Sequence, residues 1–175
     1  MGRDVAAAGL LLLFMILQVT VVNRLPLPGG AAPDLVLLAV VGYALVRGAA
    51  AGAVAGFCAG FAGDVLPPAT HVLGQYALVL CLIGFTAGRA ADGRPEAKLP
   101  MALACAAAGP PAVVATSALL GDVQIGEEML TTTLPWAIGY NLLAAPPTVW
   151  LVMRIVRGPR ERGLRPLPHL ARGRM

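Results

Sequence analysis

Long apolar tracts without charged residues dominate this sequence and restrict what it can fold into. The first tract, Val5–Val22, is about 18 residues long, which suits a helix crossing a hydrocarbon core of about 30 Å. Over the whole chain 58% of residues are hydrophobic and 13% are charged, whereas soluble domains carry about a quarter charged residues. A chain of 175 residues has too much surface to hide this apolar content from water. The sequence therefore predicts an integral membrane protein.

Clusters of Pro, Gly and charged residues divide the chain into predicted helices. Loops are expected at residues 23–33, after Pro67-Pro68, and at 89–99 and 121–133. Residues 1–156 are thus predicted to form an all-α polytopic transmembrane bundle, and residues 157–175 a basic, disordered cytoplasmic tail. The six predicted spans are Val5–Val22, Leu35–Val46, Gly48–Leu66, Val72–Ala87, Pro100–Leu120 and Leu134–Val156.

The distribution of Lys and Arg predicts the orientation of these spans. If the N-terminus is cytoplasmic, all but one of the 13 Lys and Arg residues fall on the cytoplasmic side, and only Arg24 falls on the other. Merging residues 35–66 into a single span would instead bury Arg47 within the membrane, which is costly. We therefore expect six spans, with both termini in the cytoplasm.

The third predicted span contains a stripe of small residues. Glycine recurs every four residues, and this spacing forms a groove on one helix face into which another backbone can pack closely. The groove has two interpretations, packing against other helices of the same chain or docking of a partner subunit. The glycines of the stripe are Gly48, Gly52, Gly56 and Gly60.

Two carboxylates lie at the ends of predicted spans. Asp64 ends the glycine-rich span, and an ionisable residue near membrane depth suggests a function. It could pair with a neighbouring helix, bind a cation, contact a partner, or remain a hydrated carboxylate at the interface. Asp34 follows Pro33 and precedes an apolar run, so it is predicted to cap the second span, or, like Asp64, to pair with a neighbouring helix, bind a cation or contact a partner.

The sequence contains no recognisable catalytic, cofactor or metal motif. His71 and His169 have no second ligand at metal-binding spacing. There is no Ser/His/Asp arrangement and no phosphate-binding loop. We therefore expect neither an enzyme nor a cofactor, and the net charge of +4, concentrated in one tail and one loop, does not indicate nucleic acid. Pro110-Pro111 and Pro146-Pro147 predict broken helices, a feature of transporters, so a small-molecule-binding transporter subunit remains the alternative.

Four segments resemble the rod shape-determining protein MreD family, and the resemblance extends over about residues 5–155. The most specific part is the Gly-Phe-x-x-Gly-x-x-x-Asp pattern within the second segment, followed by the Gly-Arg that ends the fourth. The segments are Pro-Asp-Leu-Val-Leu-Leu at 33–38, Gly-Ala-Val-Ala-Gly-Phe-Cys-Ala-Gly-Phe-Ala-Gly-Asp-Val-Leu at 52–66, Gly-Gln-Tyr-Ala-Leu at 74–78 and Gly-Phe-Thr-Ala-Gly-Arg at 84–89.

The resemblance implies a non-catalytic subunit of the bacterial cell-wall elongation complex, located in the inner membrane. It implies a single-span MreC-like partner, and through it a link between MreB filaments and peptidoglycan synthases. It also implies a helical fold similar to the S components of vitamin transporters, although a shared fold does not carry function. The basic tail itself could contact anionic membrane lipid, bind a cytoplasmic protein or serve only to fix topology.

Overall fold

The computed structural model of the protein describes residues 2–66, 73–121 and 126–157. Within these ranges the chain forms six α-helices and no strand, which confirms the predicted all-helical fold. Pro67-Pro68, His71 and residues 158–175 of the predicted tail lie outside the described residues. The helices are α1 (Gly2–Thr20), α2 (Leu35–Arg47), α3 (Ala49–Val65), α4 (Gln75–Ala90), α5 (Lys98–Leu119) and α6 (Leu134–Arg157).

The observed helices differ from the predicted ones before α6 and at the two proline pairs. The predicted loop at 121–133 is partly helical, because a π-helical turn (Met129–Thr133) leads directly into α6. The predicted breaks at Pro110-Pro111 and Pro146-Pro147 are wrong, since α5 and α6 continue through both pairs. An internal proline removes one backbone hydrogen bond. Packing of α5 and α6 against each other and against α2 holds the flanking turns in place.

Helix α2 forms the centre of the bundle. It contacts all five other helices, and its side chains from Val36 to Val41 are buried on every side. This follows from a sequence that is apolar around its whole circumference, as expected of a core helix. At 13 residues α2 is about 20 Å long, shorter than a hydrocarbon core. Irregular backbone at its ends can be tolerated because the surrounding helices enclose it.

The outer surface of the bundle is apolar along its helices. Large hydrophobic side chains are exposed on α1, α3, α4 and α6, where a soluble protein would carry polar residues. Two described segments, Val5–Arg24 and Pro95–Leu119, are long and apolar enough to cross a membrane by length and composition. Three shorter apolar helices, α2, α3 and α4, accompany them.

The two ends of the bundle differ in charge. At the end that we call the carboxylate end, Asp34 and Asp64 lie close to the start of α4, and the described basic residue there is Arg24. The opposite end, which we call the basic end, contains the other described Lys and Arg residues outside the first turn of α1. These residues are Arg47, Arg89, Arg94, Lys98, Arg154 and Arg157.

A single glycine joins α2 to α3 at the basic end. Gly48 has φ 88° and ψ −180°, a conformation that is essentially restricted to glycine. The chain therefore reverses direction in one residue, which places α3 directly beside α2. Gly48 is thus the turn that precedes the glycine groove of α3, and it is not part of a helix face.

We expect Gly48→Ala to destabilise the protein by about 1–3 kcal/mol, because alanine is strained at this φ and ψ. The control is Gly9→Ala in α1, where a Cβ would meet no atom within 4 Å. That control should be neutral or slightly stabilising, because alanine favours helix. Thermal unfolding in detergent measures both variants, and equal midpoints would contradict the assigned role of Gly48.

Candidate functional site

The glycine groove of α3 packs directly against the backbone of α4. A Cβ at Gly52 would lie 2.5 Å from the carbonyl oxygen of Gly84, and one at Gly60 would lie 2.5 Å from the Cα of Ala77. A Cβ at Gly56 would collide with the carbonyl of Leu80. Glycine is required at these positions because the two helix backbones touch.

This packing decides between the two interpretations of the groove. The face formed by Gly52, Gly56 and Gly60 is covered by α4 of the same chain, and all three glycines are buried. A partner helix therefore has no access to it, and the docking interpretation of this face is wrong. The reason is that α4, the next helix in the chain, packs along α3 with its backbone against this face.

Asp64, near the end of α3, caps the start of α4. Its side chain is only 6% exposed, and its Oδ2 accepts hydrogen bonds from the amides of Gly74 at 2.9 Å and Ala77 at 3.1 Å. Its Oδ1 accepts a third hydrogen bond, from the Tyr76 amide at 3.3 Å. These amides belong to the first turn of α4, which has no partner of its own for them and carries the positive end of the helix dipole. The interpretation of Asp64 as a hydrated interfacial carboxylate is therefore wrong.

Asp34 caps α2 and also links it to α4. As predicted from the sequence, its Oδ1 accepts a hydrogen bond from the Leu37 amide at 2.9 Å. Its Oδ2 accepts a second, from the hydroxyl of Tyr76 at 2.6 Å.

Two amide side chains extend this network to α1 and α6. Asn141 of α6 accepts a hydrogen bond from the Asp34 amide at 2.6 Å and donates one to the Ala106 carbonyl of α5 at 3.3 Å. Gln18 of α1 donates to the Pro33 carbonyl at 3.0 Å and accepts from the Leu35 amide at 2.9 Å. Together with Asp34 and Tyr76, these residues connect α1, α2, α4, α5 and α6.

Sequence reasoning did not identify Tyr76, Asn141 or Gln18 as site residues. For Asn141 and Gln18 a signal was present, since an amide side chain inside a long apolar tract is expensive unless it has a partner. Their partners are not visible in the sequence, because Asp34 lies 42 residues from Tyr76 and 107 from Asn141.

A cavity of about 400 Å³ opens beside the network at the carboxylate end. Asp34 and Asp64 line it, together with Gln18, Asn23 and Tyr76 from three other segments. Its walls also include apolar side chains such as Met15, Val19 and Leu66. Within the described residues, no group of three or more His, Cys, Asp or Glu could hold a metal ion.

We expect Tyr76→Phe to destabilise the bundle by about 1.5–3 kcal/mol, since the Asp34 carboxylate would lose a hydrogen bond from a hydroxyl. Combining it with Asp34→Asn tests the pair. The double variant should be less destabilised than the sum of the single variants. Thermal unfolding of all three variants measures this coupling, and strict additivity would show that the hydrogen bond does not contribute.

The sequence was compared with protein families, curated proteins and solved structures. A family model described as the rod shape-determining protein MreD matches residues 5–104. No curated protein and no solved structure matches the chain. The matched segment runs from α1 into α5 and contains the glycine groove, Asp34, Asp64 and Tyr76. Because it covers more than half of the 175 residues, the chain belongs to the MreD family of rod shape-determining membrane proteins.

Proposed function

We propose that this chain is a non-catalytic scaffold subunit of the complex that elongates the cell wall, embedded in the bacterial inner membrane. One observation carries this proposal beyond family membership. The carboxylates and amides within the bundle serve its own framework, because Asp64 caps α4, Asp34 caps α2, and Asn141 joins α6 to α2 and α5. Such a framework supports a protein that acts by holding a rigid shape.

The proposed partners are a single-span MreC-like protein and, through it, MreB filaments and peptidoglycan synthases. The described connections at the basic end are short, a single glycine between α2 and α3 and residues 91–97 between α4 and α5, whereas residues 21–34 join α1 to α2 at the other end. We place the partner contacts on the exposed helix faces and on the basic cytoplasmic segments. Within a membrane such contacts depend on close packing and a few polar bonds.

We further propose that all six helices cross the membrane, with the basic end in the cytoplasm. The charge difference between the two ends supports this orientation. The position of the aromatic residues supports the membrane crossing itself, since Trp136 and Tyr140 stack near the carboxylate end and Trp150 lies towards the basic end. Tryptophan and tyrosine are enriched at both interfaces of a membrane.

Reporter fusions test this topology. Fusions after residues 47 and 94 should report a cytoplasmic position, and fusions after 28 and 126 an external one. The physical reason is that translocating a loop rich in Lys and Arg is disfavoured. An external signal at residue 94 would overturn the six-span arrangement.

Capture from native membranes tests the scaffold role. A tagged copy should co-purify with a single-span protein and with peptidoglycan synthases, and an unrelated tagged membrane protein serves as the control. Recovery of an ATPase with a coupling subunit, and no wall-synthesis protein, would contradict the scaffold.

The cavity at the carboxylate end favours a second candidate function, a small-molecule-binding subunit of a transporter. Its volume of about 400 Å³ and its polar lining would suit a small polar solute. The continuity of α5 and α6 speaks against this candidate, because transporters commonly bind their substrates at broken helices.

A further inference from the structure

A crevice of about 300 Å³ lies at the basic end, between the beginning of α5 and the last turns of α6. On α6 its lining residues share one helix face, as their spacing of three, four and seven residues requires. The segment before α5 and its first turn form the opposite wall. The lining consists of Pro95, Glu96, Lys98, Leu99, Pro146, Val149, Trp150, Met153 and Arg157.

The chemistry of the crevice changes along α6. Pro146 and Val149 line its apolar part, and Arg157 lies about 16 Å beyond Pro146 along the helix, at the end of the bundle. Lys98 from α5 adds a second cation to the lining. The crevice is therefore apolar towards the middle of the bundle and cationic towards its end, which is the polarity of a phospholipid.

A third cation is held beside the crevice by an aromatic ring. The Arg154 guanidinium lies 5.1 Å from the centre of the Trp150 ring, within the range of a cation–π interaction. This contact holds the Arg154 guanidinium over the exposed Trp150 side chain at the edge of the crevice. Three cations are thus gathered around one crevice, although Lys98 and Arg157 also interact within the chain.

We propose that this crevice binds an anionic phospholipid, such as phosphatidylglycerol, with its phosphate near Arg154, Arg157 and Lys98. The inference goes beyond the scaffold function and does not depend on any partner protein. Basic pockets between membrane helices on the cytoplasmic side are suited to anionic headgroups. The bound molecule must also make apolar contacts with the inner part of the crevice.

A lipid fits the surroundings better than an acidic segment of a soluble protein. Trp150 is 59% exposed, and the neighbouring Leu151 and Ile155 are 41% and 43% exposed. These side chains form an apolar surface beside the crevice along which acyl chains can lie. An acidic peptide would leave this surface and the apolar part of the crevice without a partner.

Substitutions of Glu96 and Arg154 should change the lipid affinity in opposite directions. Its carboxylate is part of the crevice lining and would repel a bound phosphate. Glu96→Gln should therefore strengthen binding of the anionic lipid, whereas Arg154→Gln should weaken it. A role of Arg154 limited to structure does not predict this pair of opposite effects.

Native mass spectrometry of the full chain in detergent measures the lipid affinity of each variant. Phosphatidylglycerol is titrated against phosphatidylcholine, and the Kd of the first bound lipid is determined. Arg154→Gln should raise the Kd for phosphatidylglycerol about fivefold, the amount expected for one basic residue near the surface. The control is Arg89→Gln, which removes the same charge from an exposed residue at the same end but outside the crevice, and should change the Kd less than about twofold.

Three outcomes would overturn the proposal. Equal effects of Arg154→Gln and Arg89→Gln would show general surface charge without a site. An unchanged or weakened affinity in Glu96→Gln would place the lipid elsewhere, even if Arg154→Gln proved unstable. Polyglutamate binding more tightly than phosphatidylglycerol, and lost in Arg154→Gln, would assign the crevice to an acidic protein segment.

Discussion

Gly56→Leu should cost the bundle about 3 kcal/mol or more, at the upper end of the overpacking range, and should leave little folded protein in the membrane. The reason is that Gly56 faces a carbonyl of the α4 backbone, which cannot rotate away as a flexible side chain could. The same result is expected for Gly60→Leu, whose new Cβ would lie 2.5 Å from the Cα of Ala77. Accommodating either side chain requires α3 and α4 to separate along their shared length.

The matched control is Gly9→Leu. This glycine also lies within a helix, but a Cβ there would meet no atom within 4 Å. Membrane abundance and the thermal unfolding midpoint in detergent should therefore stay close to those of the wild type. If Gly56→Leu and Gly9→Leu behaved alike, the contact between α3 and α4 would not be as close as described.

Asp64→Ala should destabilise the protein by about 3 kcal/mol or more, because three amides at the start of α4 lose their acceptor inside the protein. Asp64→Asn should have a smaller but clear effect of about 1–3 kcal/mol. The amide side chain keeps one acceptor oxygen and turns a donor group towards backbone amides that are themselves donors.

Asp92→Asn provides the control for this substitution. The chemical change is the same, but Asp92 is an exposed residue in the segment between α4 and α5. Its unfolding midpoint should match that of the wild type. A wild-type midpoint for Asp64→Asn as well would mean that the capping bonds do not hold α4 in place.

The helices could be predicted from the sequence because their signals are local. The apolar run after Asp34, the Arg47-Gly48 stop and the four-residue glycine period all lie within single elements, and observed boundaries fall within a few residues of the predicted ones. The capping role of Asp34 was visible for the same reason, since its acceptor bonds an amide three residues ahead. The family resemblance rested on these same segments.

The contacts between helices could not be predicted in this way. The glycine period in α3 indicates a close contact, but the identity of the neighbour depends on how the chain turns back after Asp64. The capping of α4 by Asp64 joins residues 10 to 13 apart that belong to two different helices. The contact between Asp34 and Asn141 joins residues 107 apart and depends on the position of α6.

At the carboxylate end, the sequence indicated Asp34 and Asp64 as site residues but did not indicate Tyr76. Both carboxylates stood out because ionisable residues are rare in apolar tracts. Tyr76 did not, because tyrosine is common at membrane interfaces and its hydroxyl needs no charged partner there. In the structure its backbone amide contacts Asp64 and its hydroxyl contacts Asp34, so one residue joins the two carboxylates.

The central claim, that this protein acts as a scaffold for wall synthesis, is tested most directly by depleting it and imaging the incorporation of a labelled wall precursor. We expect incorporation to lose its normal sites and cells to lose their rod shape, while nutrient uptake continues. Wild-type protein and Gly9→Leu should restore both properties, and Gly56→Leu should restore neither. Normal shape and normal incorporation after depletion, together with failed uptake of a small nutrient, would contradict the scaffold and favour the transporter subunit.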